Sequence, residues 1–223
     1  MAQQGVAGEV ISLSLSDIQN KMKKPPYTIT PIMRLAGDTF VLHWEQVPYD
    51  ILIHEAFFLP ESNKLVLGRK CHCTYARSGA NIIFYYSEQT RWTHPRVQAW
   101  LRRTLKENII ARANEVLPAE LRAIEPQVNL HIHTVRIRKL RNAYGRCWYL
   151  YSRIEFDPML VLLPPEIRRE VIIHELCHTV HHNHGKRFWQ LHSQLLGCDA
   201  QMHKLATDVF YSRFQQQIKW LMR

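Results

Sequence analysis

The residues best able to do chemistry stand together in Glu170-Val171-Ile172-Ile173-His174-Glu175-Leu176-Cys177-His178. Two histidines four apart, with a glutamate directly after the first, form H-E-x-x-H, a pattern that binds a metal ion and supplies a base. On an α-helix, residues four apart share a face one turn above each other, so both imidazoles reach one ion. Glu175 then falls about 100° further round the helix, beside the ion, where a carboxylate takes a proton from bound water. A solvated helix carrying two unrelated histidines is the bland alternative. The apolar run Val171-Ile172-Ile173 argues against it, because it marks a buried helix, where unpartnered His and Glu are costly.

A catalytic zinc ion needs a third protein ligand, with water in the fourth place. No glutamate follows Glu175, and the only later acids are Asp199 and Asp208. Histidines do follow, at His181, His182 and His184. On a continuing helix His181 would lie about 10 Å along the axis from His174, too far to share one tetrahedral ion. The chain must therefore turn back, and Asn183-His184-Gly185 suits a turn because Asn and Gly both tolerate the left-handed conformation. The predicted third ligand is His184, with His181 and His182 as polar neighbours.

The stretch LLPPEIRREVIIHELCHTVHHNHGKRFW, Leu162 to Trp189, resembles the core of the YgjP-like metallopeptidase family. That family has a leucine-proline lead-in, the HELxH helix and an N-H-x-x-x-F-W exit. Upstream, Tyr144-Gly145-Arg146-Cys147 loosely matches its W-G-S-C stretch, so the similar region runs from about Leu130 to Leu196. The resemblance implies a zinc-dependent hydrolase of minimal gluzincin-like type. It carries the ligands to His174, His178 and His184 and the base to Glu175. One position departs: Ala143 stands where relatives carry an arginine, whose role passes to Arg141 or Arg146 or is absent.

The elements that must hold these groups can be read outward from the helix. Pro164-Pro165 and Glu166 suit its start. Arg187 to Leu196 is expected to form a second helix covering the ligand loop, and Ala200 to Met222 an amphipathic helix closing the core. Upstream, Thr93-His94-Pro95 opens a helix whose apolar stripe runs through Trp100, Leu105, Ile109 and Ala113 to Leu117, with Pro118 ending it. Strands are expected at Val128 to Leu140 and, after a turn at Gly145, at Cys147 to Phe156. Further strands are expected at Glu9–Leu15, Tyr27–Ile32, Asp38–Trp44, Asp50–Leu59, Lys64–Ala76 and Asn81–Tyr86. The expected fold class is α+β: a minimal zincin-like catalytic domain at 93–223, with active-site helix, backing helix, small mixed sheet and C-terminal helices. A β-rich region at 1–92 packs on the same core.

The chain's 223 residues are 46% hydrophobic and 22% charged, ordinary for a globular protein. No apolar run approaches the ~18 residues of a membrane span. Met1 to Gly5 opens no secretion signal, so the expected setting is cytoplasmic and membrane-free. Five scattered cysteines fit a reducing compartment, and Cys71-His72-Cys73 reads as buried thiols in preference to a metal pair. The net charge of +10 would attract nucleic acid or nucleotides, but the basic residues are spread and a solvated face is the favoured reading.

Together these residues predict metal-assisted hydrolysis of a peptide or protein, with one catalytic Zn²⁺ and Glu175 as general base. Tyr144, Arg141 and His192 are candidates for stabilising the oxyanion. The runner-up is a nucleotide or phosphoanhydride hydrolase. A variant, from similarity of the exit motif to SprT-like and WLM proteases, is a protease acting on DNA-associated proteins. The least favoured reading is a basic binding module with structural zinc.

Overall fold

The computed structural model describes residues 28–128 and 132–222. The strand expected at Glu9–Leu15, Tyr27 of the next one and residues 129–131 of the strand expected at Val128 to Leu140 lie outside them. From Thr28 to Ile32 the backbone is irregular and ends in a turn, so the strand expected there is absent. Pro31 explains this in part, since it has no N–H to offer a sheet.

The first sheet contains β1 (Leu35–Ala36), β2 (Val41–Gln46), β3 (Lys64–Leu67), β4 (Lys70–Ser78) and β5 (Asn81–Tyr86), in the order β1-β2-β5-β4-β3. Neighbours are antiparallel except β2 and β5, which run parallel with Leu42 opposite Ile82. The expected strand at Lys64–Ala76 is a hairpin instead, reversing at Gly68, whose φ of +62° favours glycine. The expected strand at Asp50–Leu59 is a helix, α1 (Tyr49–Phe58), bounded by Pro48 and Pro60. It buries Leu52 and Ala56, four apart, against Cys71. Continuous apolarity carries neither period, and here the helical one won.

The long helix α2 (Pro95–Ile124) is capped by His94, whose Nδ1 accepts the Arg96 N–H at 3.2 Å. It runs through Pro118, where an end was expected. The proline removes one backbone bond at a cost of about 3 kcal/mol. Leu117, Leu121 and Ile124 continue the buried stripe beyond it. Each buried leucine or isoleucine returns ~1.5–3 kcal/mol, enough to offset the break.

The second sheet holds β6 (Thr134–Ile137), β7 (Gly145–Trp148) and β8 (Arg153–Phe156), in the order β6-β8-β7. β6 runs parallel to β8, and β7 antiparallel to it. The expected single return strand is thus a hairpin, split by a helical turn at Tyr149–Tyr151 and the left-handed Ser152. That arrangement leaves β7 at the sheet edge.

Then come α3 (Pro165–Val180), α4 (Lys186–Leu196) and α5 (Ala200–Ile218). One core joins Leu42 and Phe84 of the first sheet, Leu101 and Ile109 of α2, Phe156 of β8 and Ile172, Ile173 and Leu176 of α3. The architecture is α+β, with a metal-motif helix, a backing helix, a small mixed sheet and C-terminal helices beside a β-rich first sheet. Arg168, 1% exposed, ties these layers: its guanidinium donates to Asp38 at 2.6 Å, to Glu120 at 2.7 Å and to the Leu163 carbonyl at 2.9 Å. Among the described residues, no helix is long and apolar enough to cross a membrane.

Candidate metal centre

Helix α3 buries Val171, Ile172, Ile173, Leu176 and Cys177, which turns His174 and His178 toward one half-buried face. It stops at Val180, and the following loop folds back to deliver His184. His184 Nε2 lies 3.0 Å from His174 Nε2, and the His178 and His184 rings are 4.7 Å apart. One ligand nitrogen from each of the three falls within 4.8 Å of the others. Nitrogens around a tetrahedral zinc stand about 3.3 Å apart, so the His174–His184 pair is at the spacing such an ion needs and His178 lies within reach of it.

The loop also sets the form of one ring. His178 Nδ1 is 3.3 Å from the His181 carbonyl, which can only accept, so Nδ1 carries the proton and Nε2 keeps its lone pair. His182 turns elsewhere, stacking on Tyr149 at 3.7 Å and placing Nδ1 3.2 Å from the His178 carbonyl. Phe188 underlies all three converging rings at 4.7–5.0 Å, and Trp189 stacks on His184 at 5.7 Å. Burial, with the neighbouring histidines adding to it, pushes His174 down to about 2. A neutral imidazole is the form that ligates metal.

Glu175 faces β7 and is 7% exposed. Gly145 leaves the room it occupies: a Cβ at Gly145 would lie 2.5 Å from Glu175 Cγ. Burial pushes Glu175 up to about 8; a backbone hydrogen bond from Cys147 opposes this, and the charge of Glu170 adds to it. Glu170, 3% exposed, and His192, 0% exposed, form a second close group with His174. The His192 Nε2 to Glu170 Oε1 distance, 3.9 Å, is beyond hydrogen-bond reach. Burial lifts Glu170 to about 7 and lowers His192 to about 4.

A cavity of about 480 Å³ opens beside Glu175 and His174, walled by Tyr144 and by Lys204, Asp208 and Tyr211 from α5. Tyr144 stacks on Tyr211 at 4.5 Å. Of the residues expected near the oxyanion, Tyr144 lines this cavity. Arg141 is exposed outside it, and His192 is buried behind His174. Sequence reading overlooked Glu170, although it precedes His174 by one helical turn and the same four-residue spacing would have found it. Nothing local marks the α5 residues, whose place depends on how that helix packs.

Two imidazoles and a buried carboxylate on one helix, met by a third imidazole from the loop that follows, define the metal-dependent hydrolase class. Within it, the chain belongs to the YgjP-like, metallopeptidase domain family, whose profile matches residues 43–205. It is thus a hydrolase of the metallopeptidase kind. The match begins in β2 and takes in far more of the chain than the Leu130–Leu196 region of resemblance. Among solved structures the chain is similar to the metallopeptidase zymogen of Pyrococcus abyssi abylysin. The two are 20% identical, with a TM-score of 0.38, over 47% of this chain and 96% of that one. No curated protein matches.

Proposed function

We propose that the protein is a zinc peptidase in which His174, His178 and His184 hold one ion and Glu175 is the general base. The observation that carries this reading is the approach of the His184 and His174 Nε2 atoms to 3.0 Å across a reversal of the chain. A zinc ion held by His174, His178 and His184 would supply Lewis acidity and would lower the pKa of water toward ~7. Glu175 takes the water's proton and returns it to the leaving amine. Gly145 and the Cys147 N–H hold that carboxylate in place. Tyr144, which lines the same cavity, would supply the hydroxyl donor for the developing oxyanion. β7, at the edge of its sheet, offers backbone groups for pairing with an extended peptide.

The test is elemental analysis of the purified protein, then assay against a peptide library and a nucleotide panel with and without chelator. The expected result is one zinc per chain and chelator-sensitive peptide cleavage. Hydrolysis confined to nucleotides would replace the peptidase with a phosphoanhydride hydrolase, and a protein that cannot be loaded with metal would end both.

A further inference from the structure

The second sheet has one face that the hydrolase reading leaves unused. Val135 and Ile137 of β6, Cys147 of β7 and Ile154 and Phe156 of β8 join the core, so alternation turns Arg136, Arg146, Trp148, Arg153 and Glu155 to the other side. Strand register sets these in rows: Arg136 and Arg146 each stand opposite Glu155, and Trp148 stands opposite Arg153. Arg138, just beyond β6, reaches Glu155 Oε1 at 3.8 Å, and Arg153 does so at 3.5 Å. Glu155 is 1% exposed, and among the described residues its Oε2 has no hydrogen-bond partner. One carboxylate therefore stands among four arginines, three of them (Arg136, Arg138 and Arg146) exposed.

Aromatic rings interleave with that charge. The guanidinium of Arg153 lies 5.0 Å from the Trp148 ring centroid, and that of Arg146 lies 5.8 Å from it. The turn after β7 exposes Leu150 by 79% and Tyr151 by 67%, with Arg153 also over Tyr151 at 5.7 Å. We propose that this outer sheet face, built from Arg136, Arg138, Arg146, Arg153, Trp148 and Tyr151, is a binding platform for single-stranded nucleic acid. The exposed arginines suit a phosphate backbone, and the exposed Tyr151 ring suits an unstacked base, because every base has a flat face; Trp148, half-buried beneath the guanidiniums of Arg146 and Arg153, holds those charges in place. A duplex keeps those faces hidden. An acidic peptide would satisfy the charges but would meet Tyr151 only where it also carried a ring, whereas every nucleotide brings both a phosphate and a flat base. The chain's net charge of +10 adds long-range attraction. The platform adjoins the metal site, because Tyr149 of the same turn stacks on His182. Its existence does not depend on what the metal site cleaves.

The test is fluorescence anisotropy of the full chain with labelled oligothymidylate and with a duplex of equal length, over a series of salt concentrations. The single strand is expected to bind at least about tenfold more tightly than the duplex. The double substitution Arg136→Ser with Arg138→Ser should weaken binding and flatten the salt dependence by about 0.7 in slope for each phosphate no longer neutralised. Tyr151→Ala, an exposed change that threatens folding least, should cost about tenfold in affinity and leave the slope alone. Equal affinity for duplex, displacement of the oligonucleotide by polyglutamate or anionic vesicles, or indifference to the Tyr151 change would each overturn the proposal.

Discussion

The α-carbon of Gly145 rests against the carboxylate of Glu175, so closely that a methyl group there would stand 2.6 Å from Oε1 and 2.8 Å from Cδ. From sequence this glycine looks like a turn residue. In the structure it is the first residue of β7, and its missing side chain is what lets the edge strand approach the metal-motif helix. Replacing Gly145 by Ala should displace Glu175 while leaving the three histidines undisturbed. Misplacing a reacting group by about 1 Å can cost ~10²-fold in rate, so kcat/KM should fall by that order at unchanged zinc content. Full activity in Gly145→Ala would show that the carboxylate is free to move or is not the base.

A comparison of His184 with His182 separates a ligand from a neighbour. Loss of an outer partner of a metal site costs about 10–100-fold in affinity, and loss of a ligand costs more. His184→Ala should therefore weaken zinc binding by more than about 100-fold, measured by competition with a chromophoric chelator. His182→Ala removes the stack on Tyr149 and should change affinity at most severalfold. Equal effects would move the third ligand elsewhere. Glu175→Gln, in the same assay, should keep its zinc and lose turnover.

Much of this centre was legible because its chemistry is local. His174, Glu175 and His178 lie within one helical turn, and Asn183-His184-Gly185 signals the reversal that returns the third ring. The fold was read well where period and punctuation agree, as at β5 and α4, and poorly where they conflict. Asp50–Leu59 is apolar without a period, and only the packing of Leu52 and Ala56 on Cys71 makes it a helix. Tyr149-Leu150-Tyr151 has strand propensity yet forms a turn, because its side chains face outward and leave nothing for a pleat to bury. Tyr211 and Lys204 reach the cavity only through the docking of α5, which no short stretch of sequence encodes.

Arg168 should be among the most costly residues to remove. Its side chain is 2% exposed and bridges Asp38 and Glu120, so Arg168→Leu abolishes an ion network that joins the first sheet, α2 and α3. Breaking a fully buried pair from one side typically costs ~3–5 kcal/mol; here the carboxylates left behind are 39% and 33% exposed, so urea denaturation should register a smaller loss than that. The same network predicts acid sensitivity. Although burial works the other way, hydrogen bonding and charge from Arg168 hold Asp38 below its ordinary 3.8. A depressed carboxylate stabilises the fold above its unfolded value and loses that contribution as pH falls through the folded one. Asp38→Asn should therefore lower stability at neutral pH and blunt the decline below about pH 4.

The two buried glutamates set an opposite, alkaline limb. Burial raises Glu170 to about 7 and Glu175 to about 8, from an ordinary 4.5. The folded chain then holds protons that the unfolded chain has already lost, so ionising these groups destabilises the fold as pH rises, by up to about 1.4 kcal/mol per pH unit for each group. Histidines act the other way. His174 and His192 are depressed to about 2 and about 4 from 6.5, so stability falls as pH drops below the unfolded histidine value. Above about pH 6.5 only the glutamates contribute among these groups, and the chelator-treated protein should lose melting temperature from there to about pH 8. Glu175→Gln should flatten that limb most, because its shift extends furthest. Zinc should flatten it too, since a cation at the histidines favours both carboxylates in their charged form. If the chelated protein instead gains stability between pH 6.5 and 8, and Glu175→Gln follows the same curve, then the carboxylate beside Gly145 is already ionised and its burial does not control it.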